Sequence, residues 1–419
     1  MISTKEILEK SKESKRLMRG VSPDALNLAL SYTCEEIDLY RSEILEANEK
    51  DCEAARDTVS SVMIDRLRLT NERIDGIIKG IKEVIALPSP IGELIERKER
   101  PNGLIIEKKA VPIGTLAIIY ESRPNVTADC ASLAIKSGNA CILRSGKEAH
   151  RTAVKITEAI RRALKRASLP EDAIQLIMDT SRDSAIELMR ADGYVDMLIP
   201  RGSRGLIRTC VLNSTVPVLE TGTGICHLYV DKSADFDMAL KVIENAKASR
   251  PSVCNALEVC LVDRAIANEF LPRLKTRLVD DRIKSGACPI ELRLDGEAIK
   301  IIDGVAMNDT DFDTEFLDYI LAVGIVDGVK EAVLHIGEHS TAHSEAIIAN
   351  DVEAQSFFTD QVDSAAVYVN ASTRFTDGGE FGLGCEMGIS TQKLHARGPV
   401  GIRELMSYKY VITGNGQVR

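Results

Sequence analysis

The chain has 419 residues, too many for one ordinary core, so two or three domains are expected. With 44% hydrophobic and 28% charged residues it has the balance of a soluble globular protein, and its net charge of −10 argues against a nucleic-acid partner while leaving room for local basic pockets. Ten cysteines, scattered and without a CxxC pair, fit a reducing, cytoplasmic setting rather than a disulfide framework or a zinc ribbon.

The first residues, Met1-Ile2-Ser3-Thr4-Lys5-Glu6, are polar and lack the apolar core of a signal peptide. No run approaches the roughly 18 apolar residues of a membrane span, so no membrane partner is expected. Residues 3–87 read as helices. Ser3 with Glu6 three residues on makes a capping box, and Leu26, Leu28, Leu30, Ile37, Leu39, Ile44 and Leu45 recur at helical spacing. This stretch is expected to be a helical cover on the domain that follows. Pro88, Pro90 and Gly92 end it.

Arg100-Pro101-Asn102-Gly103 is a turn signal beside Leu104-Ile105-Ile106, and a matching strand-like run, Tyr408 to Ile412, comes late in the chain. Segments 96–114 and 405–419 are therefore expected to form a β-arm that pairs with another subunit in a homo-oligomer.

From Thr115 strands and helices alternate. Strands are expected at Leu116–Tyr120, Ala140–Leu143, Ala173–Met178, Val195–Ile199 and Val216–Leu219, with helices at 126–136, 148–166, 182–190 and 203–211. This predicts an α/β, doubly wound, mostly parallel sheet, the natural place for a nucleotide. A second alternation has strands at His227–Val230, Leu257–Val262, Tyr319–Ile325 and Ala346–Ile347, with helices at 236–248, 264–278 and 327–336. Residues 361–407 are glycine-rich and read as loop. The expected division is a nucleotide-binding domain at 1–225, with parts of 361–404, and an α/β catalytic domain at 226–360.

The GxGxxG fingerprint is missing, so a nucleotide site must be built otherwise. Arg144-Ser145-Gly146-Lys147 closes a strand and opens a helix, where backbone N–H groups and two cations suit a phosphate. By itself it fits a capped, solvated helix start equally well. Gly202 and Ser203, between Arg201 and Arg204, form a second such start. Cys254 lies in the polar turn Ser249-Arg250-Pro251-Ser252-Val253-Cys254-Asn255, after a helical run that Pro251 cannot continue. Arg250 close by favours a thiolate, the nucleophilic form of cysteine. His335, His339 and His343 stand four apart, but Gly337 and the Ser/Thr cluster weaken a shared helix, and no metal is expected.

The segment Arg250-Pro251-Ser252-Val253-Cys254-Asn255-Ala256-Leu257-Glu258 resembles the nucleophile segment of the gamma-glutamyl phosphate reductase family, a branch of the aldehyde dehydrogenase superfamily. So do the runs Asp363 to Gly378 and Gly388 to Pro399, and the likeness extends in order from about residue 5 to 419. The resemblance implies the aldehyde dehydrogenase fold. It implies NADPH-dependent reduction of L-glutamyl 5-phosphate to L-glutamate 5-semialdehyde, with phosphate release, in proline biosynthesis.

By the same resemblance, Cys254 forms a thioester, and Asn125 of Tyr120-Glu121-Ser122-Arg123-Pro124-Asn125 donates to the oxyanion; read alone, Asn125 also fits a helix N-cap. Arg144 with Lys147 is expected to hold NADP, and Glu315 of Glu315-Phe316-Leu317 its nicotinamide ribose. Arg123 and Arg374 are candidates for the substrate carboxylate or phosphate. Glu220 matches the glutamate that activates water in hydrolytic relatives, and here it either helps deprotonate Cys254 or shapes the site. The alternatives are a hydrolytic NAD(P)-dependent aldehyde dehydrogenase and a non-catalytic partner of glutamate kinase.

Overall fold

The computed structural model describes residues 3–59 and 61–419. It forms two compact units. The first comprises Met1–Thr221, Phe381–Gly388 and Pro399–Arg419, and the second Gly222–Glu380 and Ile389–Gly398.

Among the described residues of the first unit, five helices come before any strand: α1 (Thr4–Met18), α2 (Pro23–Leu39), α3 (Arg41–Ala55), α4 (Ser61–Leu67) and α5 (Asn71–Ala86). The capping box is present, with Ser3 Oγ accepting from Glu6 N and the Glu6 carboxylate accepting from Ser3 N at 2.8 Å. Two strands, β1 (Leu94–Glu99) and β2 (Ile105–Pro112), pair as an antiparallel hairpin, and the C-terminal strand Met406–Thr413 pairs antiparallel with β2. The resulting three-stranded arm exposes Tyr408, Tyr410 and Ile412.

Four parallel strands form the central sheet of this unit. They are β3 (Thr115–Tyr120), β4 (Ala140–Ser145), β5 (Ile174–Leu176) and β6 (Met197–Arg201), in the order β5-β4-β3-β6. Between and after them run α6 (Asn125–Lys136), α7 (His150–Arg166), α8 (Arg182–Met189) and α9 (Arg204–Asn213). Strand β3 is buried along its whole length, as a strand covered on both faces must be. The helical cover packs on it through α7 and α6: α2 and α3 meet α7, and α5 meets α6. Lys136, buried at the end of α6, donates to Asn27 Oδ1 and Ile85 O at 2.7 and 2.8 Å and so ties α6 to α2 and α5.

The strand expected at Val216–Leu219 is not formed. Only a single parallel bridge, Leu198 to Val218, is made, because Pro217 has no N–H to extend a ladder.

The second unit is built on seven parallel strands. They are β7 (Cys226–Val230), β8 (Leu257–Asp263), β9 (Glu291–Leu294), β10 (Val305–Ala306), β11 (Ile320–Val326), β12 (Ser344–Ile348) and β13 (Ala366–Val369), in the order β10-β9-β11-β8-β7-β12-β13. Helices α10 (Phe236–Ala248), α11 (Arg264–Lys275), α12 (Val329–His339) and α13 (Val352–Gln361) cover the sheet, and apolar cores fill both faces. The tract expected to be loop from residue 361 contributes β13, a short edge strand beside β12, and α13 precedes it. Strands β9 and β10 were also hidden by their shortness.

Candidate active site

In the first unit, three strands end level with one another. Tyr120 of β3 pairs with Ser145 of β4 on one side and Arg201 of β6 on the other. Residues 121–125, 146–149 and 202–203 therefore leave the carboxyl edge of one parallel sheet, where open α/β sheets bind ligands. Arg123, Asn125, Arg144, Ser145, Gly146, Lys147, Gly202 and Ser203 all gather at this edge. Glu220, half-buried, follows the bridge of Val218 to β6.

Asn125 does not cap α6. Pro124 occupies the cap position without a side-chain bond, and Asn125 Nδ2 donates instead to Asp129 Oδ2, one turn on, at 2.9 Å. An amide NH2 carries two protons, and this bond uses one and orients the group. Burial pushes the Asp129 carboxyl up to about 6, against the opposing pull of Asn125 and Arg201.

Arg144 is half-buried. Its Nη2 donates to Thr180 O and Ser181 O at 2.8 and 2.9 Å, while Nε is buried with no hydrogen-bond partner among the described residues. Burial draws its pKa down, and Glu148, Asp179 and Glu121 oppose that. A buried guanidinium N–H without an acceptor suits a cofactor phosphate, with exposed Lys147 close in sequence. The residues present thus fit the nucleotide.

Ser145 Oγ pairs with His150 Nδ1 at 3.0 Å. A Cβ on Gly146 would lie 2.3 Å from the Glu148 carboxylate, which accepts from Ser122 N at 2.7 Å, so the Glu148 side chain packs closely over this turn. Ser203 caps α9, and its N–H donates to Glu121 Oε2 at 2.9 Å. That N–H is therefore already engaged by a carboxylate.

In the second unit, α10 ends at Ala248 and β8 starts at Leu257, so half-buried Cys254 sits in the turn between helix and strand. Its carbonyl accepts from Cys226 Sγ at 3.3 Å and lies where a Cβ on Gly224 would be, 1.5 Å away. Asn255 is buried. Its Nδ2 donates to Arg374 O and Thr376 O at 3.2 and 2.9 Å, its Oδ1 accepts from Arg374 Nη1, and its backbone oxygen accepts from Thr373 Oγ1 at 2.8 Å. Arg374 Nε also donates to Ser249 Oγ at 3.2 Å, so one side chain holds both ends of the turn.

Burial lowers the Arg374 pKa, Arg250 lowers it further, and Asp377 and Cys254 raise it; the guanidinium is therefore within electrostatic reach of the thiol. A cation there favours the thiolate. Glu315 Oε1 accepts from Gly224 N at 2.8 Å, which brings Glu315 beside the same turn.

The histidines do other work. His335 packs edge-on against Phe312 with centroids 4.4 Å apart, and burial, then His227 and His339, hold its pKa at about 3. Among the described residues no group of three or more His, Cys, Asp and Glu side chains is arranged to hold a metal.

Sequence reading missed Asp129, Glu121, the clamp through Asn255, and a fully buried pair, Lys247 with Glu258 at 2.6 Å. Two signals were present. Asp129 stands one helical turn after Asn125, and Glu258 interrupts the apolar run Leu257 to Val262, where a charge demands a partner.

The aldehyde dehydrogenase family model matches residues 40–289. The chain is 57% identical to gamma-glutamyl phosphate reductase of Streptococcus sanguinis, over all of both chains, and 55% identical to that of Streptococcus pneumoniae strain JJA, again over all of both. The crystal structure of gamma-glutamyl phosphate reductase from Thermotoga maritima superposes with a TM-score of 0.94 at 46% identity, covering 100% of each chain. An acetylating aldehyde dehydrogenase from Geobacillus thermoglucosidasius shares the fold at a TM-score of 0.74 and 17% identity, over 99% of this chain and 97% of that one. The chain belongs to the aldehyde dehydrogenase family and, within it, to the gamma-glutamyl phosphate reductases.

Proposed function

We propose that this enzyme reduces L-glutamyl 5-phosphate to L-glutamate 5-semialdehyde in proline biosynthesis, through a thioester on Cys254 and with NADPH as reductant. The observation that carries the chemistry is the Cys254 turn, held by Arg374 and Asn255 with a cation in reach of the thiol. The named relatives support the substrate.

Cys254 attacks the acyl carbon as thiolate. The bond between the acyl carbon and the bridging oxygen breaks, that oxygen departs with the phosphate, and a thioester remains. When bound, the nicotinamide supplies the hydride that reduces the thioester carbonyl. The second Asn125 amide proton and the Cys254 backbone N–H are the proposed donors to the oxyanion at both stages, and one such donor is worth about 3 kcal/mol. Collapse of the thiohemiacetal releases the aldehyde and returns the thiolate. Glu220 is assigned the Cys254 proton before the first step. Arg144 and Lys147 would hold the cofactor's phosphate, Glu315 its nicotinamide ribose, and Arg123 with Arg374 the substrate's anionic groups.

The three-stranded arm is assigned to pairing with a second copy, and a glutamate kinase to supplying the acyl phosphate. A reducing, cytoplasmic setting suits ten free cysteines. No helix among the described residues is long and apolar enough to cross a membrane. The test is NADPH oxidation in a mixture of glutamate, ATP and a glutamate kinase. Consumption that needs all three supports the reading, and consumption without ATP contradicts it.

A further inference from the structure

Lys247 and Glu258 stand on either side of the nucleophile turn, one in the last turn of α10 and the other in β8. Both side chains are fully buried, and Lys247 Nζ donates to Glu258 Oε2 at 2.6 Å. The other oxygen, Glu258 Oε1, accepts from Leu317 N at 3.2 Å. Leu317 has φ 54°, a left-handed conformation that is strained for a side-chain-bearing residue and persists only where neighbours impose it.

Glu315 is two residues upstream and binds Gly224 N, and Gly224 packs on the Cys254 carbonyl. The links close a circuit: Cys254 turn, Glu258, Leu317, Glu315, Gly224, and back to Cys254. Stability alone does not explain an ion pair here, because apolar residues of similar volume would serve as well or better. What the pair adds is direction, a carboxylate with one oxygen fixed by Lys247 and the other aimed at a strained backbone N–H.

We propose that Lys247 and Glu258 are positioning residues that fix the Glu315 segment for cofactor binding beside the Cys254 turn. This rests on the reading of Glu315 as a cofactor-binding residue.

The test measures the NADPH dissociation constant by fluorescence titration, with melting temperature as a folding control. Lys247→Met/Glu258→Met, neutral and matched in bulk, is expected to fold and to bind NADPH about tenfold more weakly. Lys247→Met/Glu258→Gln keeps an acceptor for Leu317 N–H and is expected to stay within about threefold of wild type. In a Glu315→Ala background, the doubly apolar change is expected to alter binding less than about twofold, because its effect passes through Glu315. Should the doubly apolar variant not fold, Lys247→Met/Glu258→Thr, too short to reach Leu317, takes its place.

Unchanged binding in the folded apolar variant, or an equal loss in the Glu315→Ala background, overturns the proposal alone. If Glu315→Ala itself leaves NADPH binding unchanged, the reading of Glu315 falls and the proposal falls with it. Phosphate-dependent turnover by the wild type decides the reaction class separately.

Discussion

Arg374 donates through Nη1 to the side-chain oxygen of Asn255, the residue that follows Cys254. The same guanidinium reaches Ser249 at the other end of the turn. One planar fork thus holds the turn's shape and adds its positive charge to that of Arg250.

Replacing Arg374 therefore affects Cys254 before substrate arrives. Arg374→Ala is expected to slow alkylation of Cys254 by iodoacetamide at pH 7 about tenfold, as the thiolate loses one of its two nearby cations and the turn loses its clamp. Arg374→Lys is expected to recover little, since an ammonium is a point donor and cannot bridge Ser249 and Asn255 together. Mass spectrometry of the Cys254 peptide separates this thiol from the other nine cysteines, of which Cys288 is exposed. Equal alkylation rates in wild type and Arg374→Ala would remove Arg374 from this role.

Gly224 is constrained by the Cys254 carbonyl. A Cβ there would sit 1.5 Å from that oxygen, and the obstacle is backbone, which cannot rotate aside. Gly224→Ala is expected to lower turnover by about a hundredfold or more through displacement of the nucleophile. Gly205 has only the Ser203 hydroxyl within reach, at 3.9 Å, so Gly205→Ala is expected to keep wild-type turnover. Similar rates for the two variants would contradict the close approach.

Asp129 gives a pH dependence whose sign is fixed by its burial. Its carboxyl is raised to about 6, above the unfolded value, so its contribution to stability is present in acid and lost as pH rises through 6. Asp129→Asn has no charge to bury and can still accept from Asn125. We expect it to be more stable than wild type at pH 8, by about 1–2 kcal/mol, and no more stable near pH 4. Thermal melts at the two pH values check this, and a variant less stable at pH 8 refutes it.

Lys247→Met, made alone, strips the partner from a buried carboxylate and is expected to cost about 3–5 kcal/mol. The loss should be smaller at pH 6 than at pH 9. Burial raises the Glu258 pKa against the pull of Lys247, and without Lys247 the carboxyl takes up a proton more readily as pH falls. Denaturant melts at both values provide the measurement, and a pH-independent loss would argue against a buried carboxylate.

Much of this molecule is legible in its sequence. The alternation from Thr115 gives both sheets because long, strongly apolar strands such as β3, β8 and β11 leave little ambiguity. The turn holding Cys254 is legible because Pro251 ends a helix there. Short edge strands escape: β13 is four residues in a glycine-rich tract, and its strand state is decided by pairing with β12. The bond from Asn125 to Asp129 wins over helix capping because Pro124 already stands at the cap. The circuit through Glu258 and Leu317 joins residues far apart in the chain, and only the folded sheet brings them within reach.

The most direct test of the central claim runs the reaction backwards, since the acyl phosphate is labile. NADP reduction is followed with glutamate 5-semialdehyde, with and without inorganic phosphate, in wild type and Cys254→Ala. A rate that requires phosphate and vanishes in Cys254→Ala is the expected result, because phosphate must resolve the Cys254 thioester. A phosphate-independent rate would contradict the account, as water would then be the acceptor and Glu220 its base.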